Sequence, residues 1–311
     1  MGKKLLFLIN PNAGKSEIKT RALDVIDLFV RSGFEISVHT TQRRMEIPEI
    51  LKEQGEDCDL IVTSGGDGTL NETVTGLMAL PQKPLLGYIP AGTVNDFATS
   101  LHIPKNILQA AHVIVSGQPF DCDIGAFEDR YFTYIAAFGA FTDVSYQTPQ
   151  QSKLLLGRAA YILEGIKRLP SIKDYHLIVR HDGKTVEDDF IFGMVTNSTS
   201  VGGFKIHEQL VKMNDGLLEV VLIRRPESAI EAPQLLNAVL RQEYSSESVY
   251  AFRTSELEIT SEEEVPWTLD GEFGGMRHRA HIRNVPRAIR ILRGSDSDSR
   301  PVEFPSYSFK V

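Results

Sequence analysis

Apolar runs of strand length alternate with helically spaced apolar positions through residues 1–125. Lys4–Ile9 is almost wholly apolar and predicts a buried strand. Ile18, Ala22, Val25, Ile26 and Phe29 repeat at the spacing of one helix face over residues 17–32, and Gly33 follows as the residue that ends that helix. Phe34–His39 predicts a second strand, Ile47–Gln54 a short helix ended by Gly55, and Asp59–Thr63 a third strand. A helix over Leu70–Leu80, a fourth strand at Leu85–Ile89 and a helix over Ile107–Val115 complete the series. Such alternation predicts an α/β domain built on a parallel sheet.

From residue 121 the pattern changes. Leu177–Val179 and Phe190–Val195 flank His181-Asp182-Gly183-Lys184, a hairpin with Asp-Gly at its turn. Leu217–Ile223, Ser255–Thr260 and Ala280–Ile282 also read as strands, while Leu154–Leu169 and Ala229–Arg241 read as helices. A β-rich second domain of two packed sheets, a β-sandwich, is expected. The length of 311 residues fits two domains of roughly 100–200 residues each. Their expected bounds are 1–125, joined by the tail 295–311, and 126–294.

Composition narrows the class. A chain 42% hydrophobic and 24% charged is an ordinary soluble globular protein. Two cysteines, Cys58 and Cys122, make no disulfide framework, which points to a reducing, cytoplasmic location. The first apolar run stops at Asn10, short of the roughly 7–15 residues of an export signal, and Leu6 stands where a myristoylation motif needs Ser or Thr. The stretch Tyr131–Phe141 is well short of the ~18 residues of a membrane span. A net charge of −8 argues against a general nucleic-acid binder. Arg277-His278-Arg279, with Arg283, Arg287 and Arg290, is the strongest cationic stretch; it suits a solvated strand face or contact with a membrane surface.

Candidate chemistry gathers in the turns after the predicted strands. Gly65-Gly66-Asp67-Gly68-Thr69-Leu70-Asn71-Glu72 follows the third strand. Its glycines offer backbone N–H groups to an anion, and Asp67 beside a phosphate calls for a divalent cation between them. The bland alternative is a tight strand-to-helix turn. Asn10-Pro11-Asn12-Ala13-Gly14-Lys15-Ser16 follows the first strand and ends like a Walker A loop, but Ile9 stands where that pattern needs Gly. It still opens a helix whose N–H groups suit a phosphate, with Lys15 as a point charge. Pro90-Ala91-Gly92-Thr93-Val94-Asn95-Asp96-Phe97 follows the fourth strand. In a parallel sheet these three loops meet beyond the carboxyl ends of the strands, within reach of Asp123. Farther on, Lys212-Met213-Asn214-Asp215-Gly216-Leu217 suits a hard cation or an ordinary Asp-Gly turn. Asp270 and Glu272, two apart on an extended segment, are expected to point the same way, one to orient a metal and one to take a proton.

Taken in order, these segments resemble the diacylglycerol kinase catalytic family, soluble bacterial lipid kinases related to sphingosine and ceramide kinases. The first box alone is shared with NAD kinases; Gly92–Phe97 and Leu269-Asp270-Gly271-Glu272 are more specific to lipid kinases. The resemblance implies an NAD-kinase-like α/β nucleotide-binding domain, a β-sandwich domain, and transfer of the γ-phosphoryl of ATP to a diacylglycerol hydroxyl with Mg²⁺. It implies that Asn10, Pro11, Asn12, Ala13, Gly14, Thr41, Gly66, Asp67, Gly68, Thr69, Leu70, Asn71, Glu72 and Thr93 line the ATP site. It further implies that Asp67, Asp96 and Asp123 surround the catalytic Mg²⁺, that Glu272 is the base with Asp270 beside it, and that Asp215 with the Lys212 and Leu217 carbonyls holds a second Mg²⁺. Where look-alikes carry Lys in the helix before Leu169-Pro170, this chain has Glu164, with Lys167 and Arg168 a turn away. A lipid substrate implies transient peripheral contact with a membrane, for which Arg158, Arg277 and Arg279 are candidates, and the family resemblance makes a homodimer plausible. The alternatives are an NAD kinase, a kinase of another lipid such as phosphatidylglycerol or a sphingoid lipid, and a non-catalytic nucleotide sensor. The acidic set Asp67, Asp96, Asp123, Asp270 and Glu272 is complete, which argues against the sensor.

Overall fold

The first apolar run forms β1 (Lys3–Ile9), whose last five residues are buried. After α1 (Ile18–Arg31), β2 (Phe34–Thr40) lies parallel along one side of β1. After α2 (Ile47–Gln54), β3 (Leu60–Gly65) lies parallel along the other, and after α3 (Asp67–Met78), β4 (Leu85–Pro90) lies parallel to β3. β1 and β3 are flanked on both sides and covered by helices, so the last five residues of β1 and all six of β3 are buried. β2 lies at the edge and is only partly buried. α1 buries Ile18, Val25 and Phe29, the last edge-on to Phe7 at 5.9 Å. α4 (Asp96–Ser100) and α5 (Ile107–Ser116) complete this half. The description rests on a computed structural model and covers residues 2–14, 17–139, 173–201, 204–205, 211–226, 231 and 248–294. Lys15, Ser16, Arg158, Glu164, Lys167, Arg168, the expected helix Leu154–Leu169, all but residue 231 of the expected helix Ala229–Arg241, and the tail 295–311 lie outside the described residues.

α3 starts three residues earlier than the periodicity predicts. Asp67, Gly68 and Thr69 form its first turn, and none of them carries the apolar side chain that marks a helix face.

Strands predominate thereafter: β5 (Gln118–Phe127), β6 (Arg130–Phe132), β7 (Ile135–Gly139), β8 (Tyr175–His181), β9 (Lys184–Thr196), β10 (Ser200–Val201), β11 (Phe204–Lys205), β12 (Leu218–Arg224), β13 (Val249–Thr254), β14 (Glu256–Leu269) and β15 (Glu272–Arg293). β8 and β9 are the expected hairpin, with Asp182 and Gly183 at φ +46° and +71° in its turn. The expectation of a separate parallel sheet needs correction. β1 to β4 belong to one thirteen-stranded sheet in which, apart from their own pairings and that of β4 with β15, every pairing is antiparallel. The cause is β15. Its 22 residues run antiparallel to β5 and β14 and then reach β4 at Ile291↔Leu86.

In the second half, β7, β9, β8 and β14 pair in a closed ring, since the long strands β9 and β14 bend from one partner to the next. Trp267 fills that ring, with the Phe127 and Phe138 rings each 5.0 Å away. β5 and β15 span both cores. Cys122, Ile124, Ala288, Ile289, Ile291 and Leu292 pack in the first, whereas Phe127, Ala280 and Ile282 pack in the second.

Trp267 is the chain's one tryptophan and is 1% exposed, so its fluorescence reports on this core alone. Trp267→Ala is expected to cost about 3–5 kcal/mol of stability. Urea unfolding followed by circular dichroism checks it; a loss under about 1 kcal/mol would show that the ring does not depend on this side chain.

Candidate active site

The loops after β1, β3 and β4 are bonded to one another at their bases. Asn10 N–H donates to the Ser64 carbonyl, Ala91 N–H to the Gly65 carbonyl and Thr41 N–H to the Ile9 carbonyl, each at 2.8 Å. Asn10 Nδ2 donates to Thr69 Oγ1 at 2.9 Å, while Asn10 Oδ1 accepts the Asn12 N–H at 3.0 Å. The backbones touch. A Cβ on Gly14, already at φ +51°, would lie 2.2 Å from the Ala91 carbonyl oxygen, and one on Gly92 would lie 2.5 Å from Gly66 Cα.

The glycines of the box divide their work. A Cβ on Gly65 would strike the Thr69 side chain at 2.4 Å, so Gly65 serves strand–helix packing rather than a ligand. Gly68 is exposed, and a Cβ there would meet nothing within 4 Å. No side chain caps α3 at Gly66, so its first turn presents N–H groups and positive dipole beside that open face. Leu70 does not face the cleft: it is buried in the first core and its N–H donates to the Gly66 carbonyl. Thr93, Asn12 and Gly14 are exposed, Pro11 and Glu72 half-buried, and Ala13 and Thr41 buried.

Asp67 opens α3. Its Oδ2 accepts the Asn95 N–H at 3.0 Å, from a residue held at φ +58°, and its Oδ1 is buried with no partner. Burial, reinforced by the charges of Asp96 and Asp270, pushes the Asp67 carboxyl up to about 7. Asp96 is 1% exposed and accepts from Ser200 Oγ at 2.6 Å, which ties α4 to β10. These acids act on one another without forming a ready cluster of metal ligands among the described residues.

Asp270 and Glu272 do not share a direction. Asp270 (φ +50°) and Gly271 (φ +81°) form the turn between β14 and β15, and the turn breaks the alternation expected of an extended segment. Asp270 faces inward and accepts five hydrogen bonds, from the N–H groups of Thr133, Tyr134 and Ile135, from Thr133 Oγ1 and from Asn71 Nδ2, at 2.6–3.1 Å. Burial raises its pKa against the lowering effect of those donors. Asp270 is therefore an organiser rather than a free ligand. Glu272 faces outward and pairs with Arg44, from the loop after β2. Arg44 and Thr133 were not legible in the sequence because neither lies on an acidic or glycine-rich motif; an Arg-Arg pair just beyond a strand end was the one available signal.

Asp123 stands apart from Asp67. It is buried, and its two oxygens accept the N–H groups of Arg287 and Gly216, each at 2.7 Å. It secures the bulge of β15, where the pairing with β5 shifts between Val285 and Ile289. At the other acidic spot, Asp215 accepts from Arg253 and from the Leu217 N–H, and the Leu217 carbonyl accepts from Asn284 Nδ2. Lys212 is exposed. Arg253 Nε also binds Glu219 at 3.0 Å, while Glu219 Oε2 and Asn284 Oδ1 are buried without partners. These unpartnered oxygens suit a hard cation.

Residues 4–127 match the diacylglycerol kinase catalytic domain, and residues 137–293 match the YegS C-terminal NAD kinase beta sandwich-like domain. A diacylglycerol kinase of Bacillus subtilis (strain 168) is 34% identical over 293 residues, covering 93% of this chain and 96% of that protein. One from Staphylococcus carnosus (strain TM300) is 31% identical over 298 residues, covering 95% and 97%. The chain belongs to the diacylglycerol kinase catalytic family. Its fold is also that of a Bacillus anthracis diacylglycerol kinase structure, with a TM-score of 0.75 at 21% identity over 94% of this chain and 97% of that one. A second B. anthracis chain gives 0.80 at 24% identity, covering 94% and 96%. As a member of the diacylglycerol kinase family, the chain is an ATP-dependent lipid kinase. In this kinase, the loops after β1, β3 and β4 lie within the first match and Glu272 within the second.

The raised pKa of Asp67 has a consequence for stability. A carboxyl whose folded pKa lies above its unfolded value stabilises the fold below the unfolded value, and that contribution is lost as pH rises through the folded one. In metal-free protein the Asp67 contribution is therefore present near pH 4 and lost through about pH 7. Urea unfolding in chelator from pH 4 to 8 should show Asp67→Asn losing less stability than the parent over that window. Parallel curves would count against the assignment.

Proposed function

We propose that the cleft transfers the γ-phosphoryl group of ATP to the free hydroxyl of diacylglycerol, giving phosphatidic acid. One observation carries this reading: Glu272, from the second half, pairs with Arg44 at the end of β2 in the first half, and Arg44 also meets the charge of Glu72 in the box after β3. The N–H groups of Asn10–Gly14 and of the first turn of α3 would cradle the phosphates, with Thr41 and Thr93 beside them. Glu272 would accept the hydroxyl proton. It is the carboxylate of the hairpin that is open to solvent, whereas Asp270 is saturated by its donors.

A divalent cation fits the acidic side. Asp67 Oδ1 is buried and unpartnered, with Asp96 and Asp270 close enough to raise its pKa. Asp67 and Asp96 would hold Mg²⁺, which when bound neutralises charge on the phosphates. A second cation would be held by Asp215 and the carbonyls of Lys212 and Leu217. It would compete with Arg253 for Asp215, and the unpartnered Glu219 oxygen supports such a site. The lipid would be met at a membrane surface. No helix among the described residues is long and apolar enough to cross a membrane. Arg277 lies on the same hairpin as Glu272; Arg279 pairs with Glu258, which lowers its worth as a membrane contact.

Incubation with γ-labelled ATP and a panel of diacylglycerol, phosphatidylglycerol, sphingosine and NAD should label diacylglycerol; label on NAD, or on none of them, defeats the proposal. Glu272→Gln is expected to lower kcat by about 10²–10⁴-fold with ATP affinity unchanged, and undiminished turnover would remove Glu272 from the reaction. For the second cation, Mg²⁺ should raise the melting temperature of the parent a few degrees more than that of Asp215→Ala, which keeps only the site at Asp67 and Asp96. An equal response in both proteins would exclude the site.

A further inference from the structure

The loop after β2 holds adjacent arginines that point to different places. Arg43 binds Glu49 of α2, with Nη1 3.0 Å from Oε1. Arg44 crosses instead to Glu272, on the hairpin of the other half. The loop is built to keep them apart. Glu46 accepts the N–H groups of both Gln42 and Arg43, at 2.6 and 3.3 Å, and Met45 is held at φ +58°, a region bulky residues rarely occupy. Arg44 is thus presented at the end of β2, three residues past Thr41, whose N–H closes on the end of β1. Its guanidinium meets the charges of two cleft carboxylates, Glu272 and Glu72.

The Arg44–Glu272 pair is open to water, with the side chains 78% and 47% exposed, so it is weak and exchangeable. A phosphate offers a guanidinium a stronger, bidentate partner. The site already holds Asp67, Asp96, Asp270 and Glu72, and a triphosphate adds more negative charge. A cation at the terminal phosphate is what such a transfer requires. While Arg44 is bonded to Glu272 Oε2, one of that oxygen's two lone pairs is taken.

We propose that Arg44 is the residue that contacts the terminal phosphate of the bound nucleoside triphosphate, and that this phosphate replaces Glu272 as its partner. The inference rests on the kinase reading above. Nucleotide binding then releases the Glu272 carboxylate at the moment the phosphoryl donor is in place. In the transfer, the lipid hydroxyl oxygen forms the new P–O bond as the bond between the β,γ-bridging oxygen and the γ-phosphorus breaks. The hydroxyl proton passes to Glu272, and ADP leaves with the bridging oxygen. Arg44 exchanges neither proton nor electron; it binds the charge that moves.

The test compares the parent with Arg44→Ala and Arg44→Lys. Calorimetry with Mg²⁺ and either ATP or ADP reads the contact without catalysis. The parent should bind ATP about tenfold more tightly than ADP, Arg44→Ala should bind the two alike, and Arg44→Lys should recover part of the difference. In turnover with diacylglycerol, Arg44→Ala should lower kcat about 10²-fold with the KM for lipid unchanged, the size expected for one lost transition-state donor. An unchanged ATP-to-ADP ratio in Arg44→Ala overturns the proposal, as does a kcat equal to or above that of the parent. If the parent labels no diacylglycerol, the kinase reading fails on its own, and the ATP-to-ADP ratio still decides the phosphate contact.

Discussion

The cleft depends on a buried carboxylate fully engaged by hydrogen bonds. Asp270 sits at the tip of the β14–β15 hairpin and gathers the N–H groups of Thr133, Tyr134 and Ile135 with the side chains of Thr133 and Asn71. Asn71 belongs to α3, directly below the nucleotide-type loops, and also binds the Tyr131 carbonyl. A carboxylate buried without such donors would be prohibitively costly. With them, it holds α3, the β6–β7 segment and the hairpin in one register. The outward direction of Glu272 follows: with Asp270 turned in and the chain reversing through Gly271, the next side chain must leave the core.

A second constraint is the continuity of β15. One strand pairs with β14 and β5 in the second half and then with β4 in the first. Its bulge at residues 285–289 changes register between the two cores, and Asp123 occupies that point. The two halves thus share backbone hydrogen bonds rather than a flexible linker. A cleft lined by both halves, as proposed above, needs that coupling, because misplacing reacting groups by an ångström costs orders of magnitude in rate.

The strands and helices of the first half were legible because each has one periodicity and one burial environment. α3 began early because Asp67-Gly68-Thr69 is chosen for what its backbone offers, not for a packed face. The continuous mixed sheet was not legible. No local pattern tells a strand whose neighbours belong to different cores from two separate strands, and β15 alternates polar and apolar residues across most of its length. In the site, the loops were readable from their glycines, but roles were not. Gly65 and Gly68 look alike in sequence and differ in what a Cβ would meet. Asp123 and Asp67 are both acidic residues just beyond apolar runs, yet one is saturated by backbone and the other has an open oxygen.

That difference in saturation sorts the acidic residues better than position does. Asp123 takes a backbone N–H on each oxygen and Asp270 takes five donors, so both are held in place within the fold. Asp67 has a buried oxygen with no partner, and Glu272 has only an exposed and exchangeable one. On the proposed function, the first suits a cation and the second a proton. Arg44 completes the logic from the opposite sign. On a loop bonded internally by Glu46, it meets the charges of Glu72 and Glu272 and is the exposed cation among these acids.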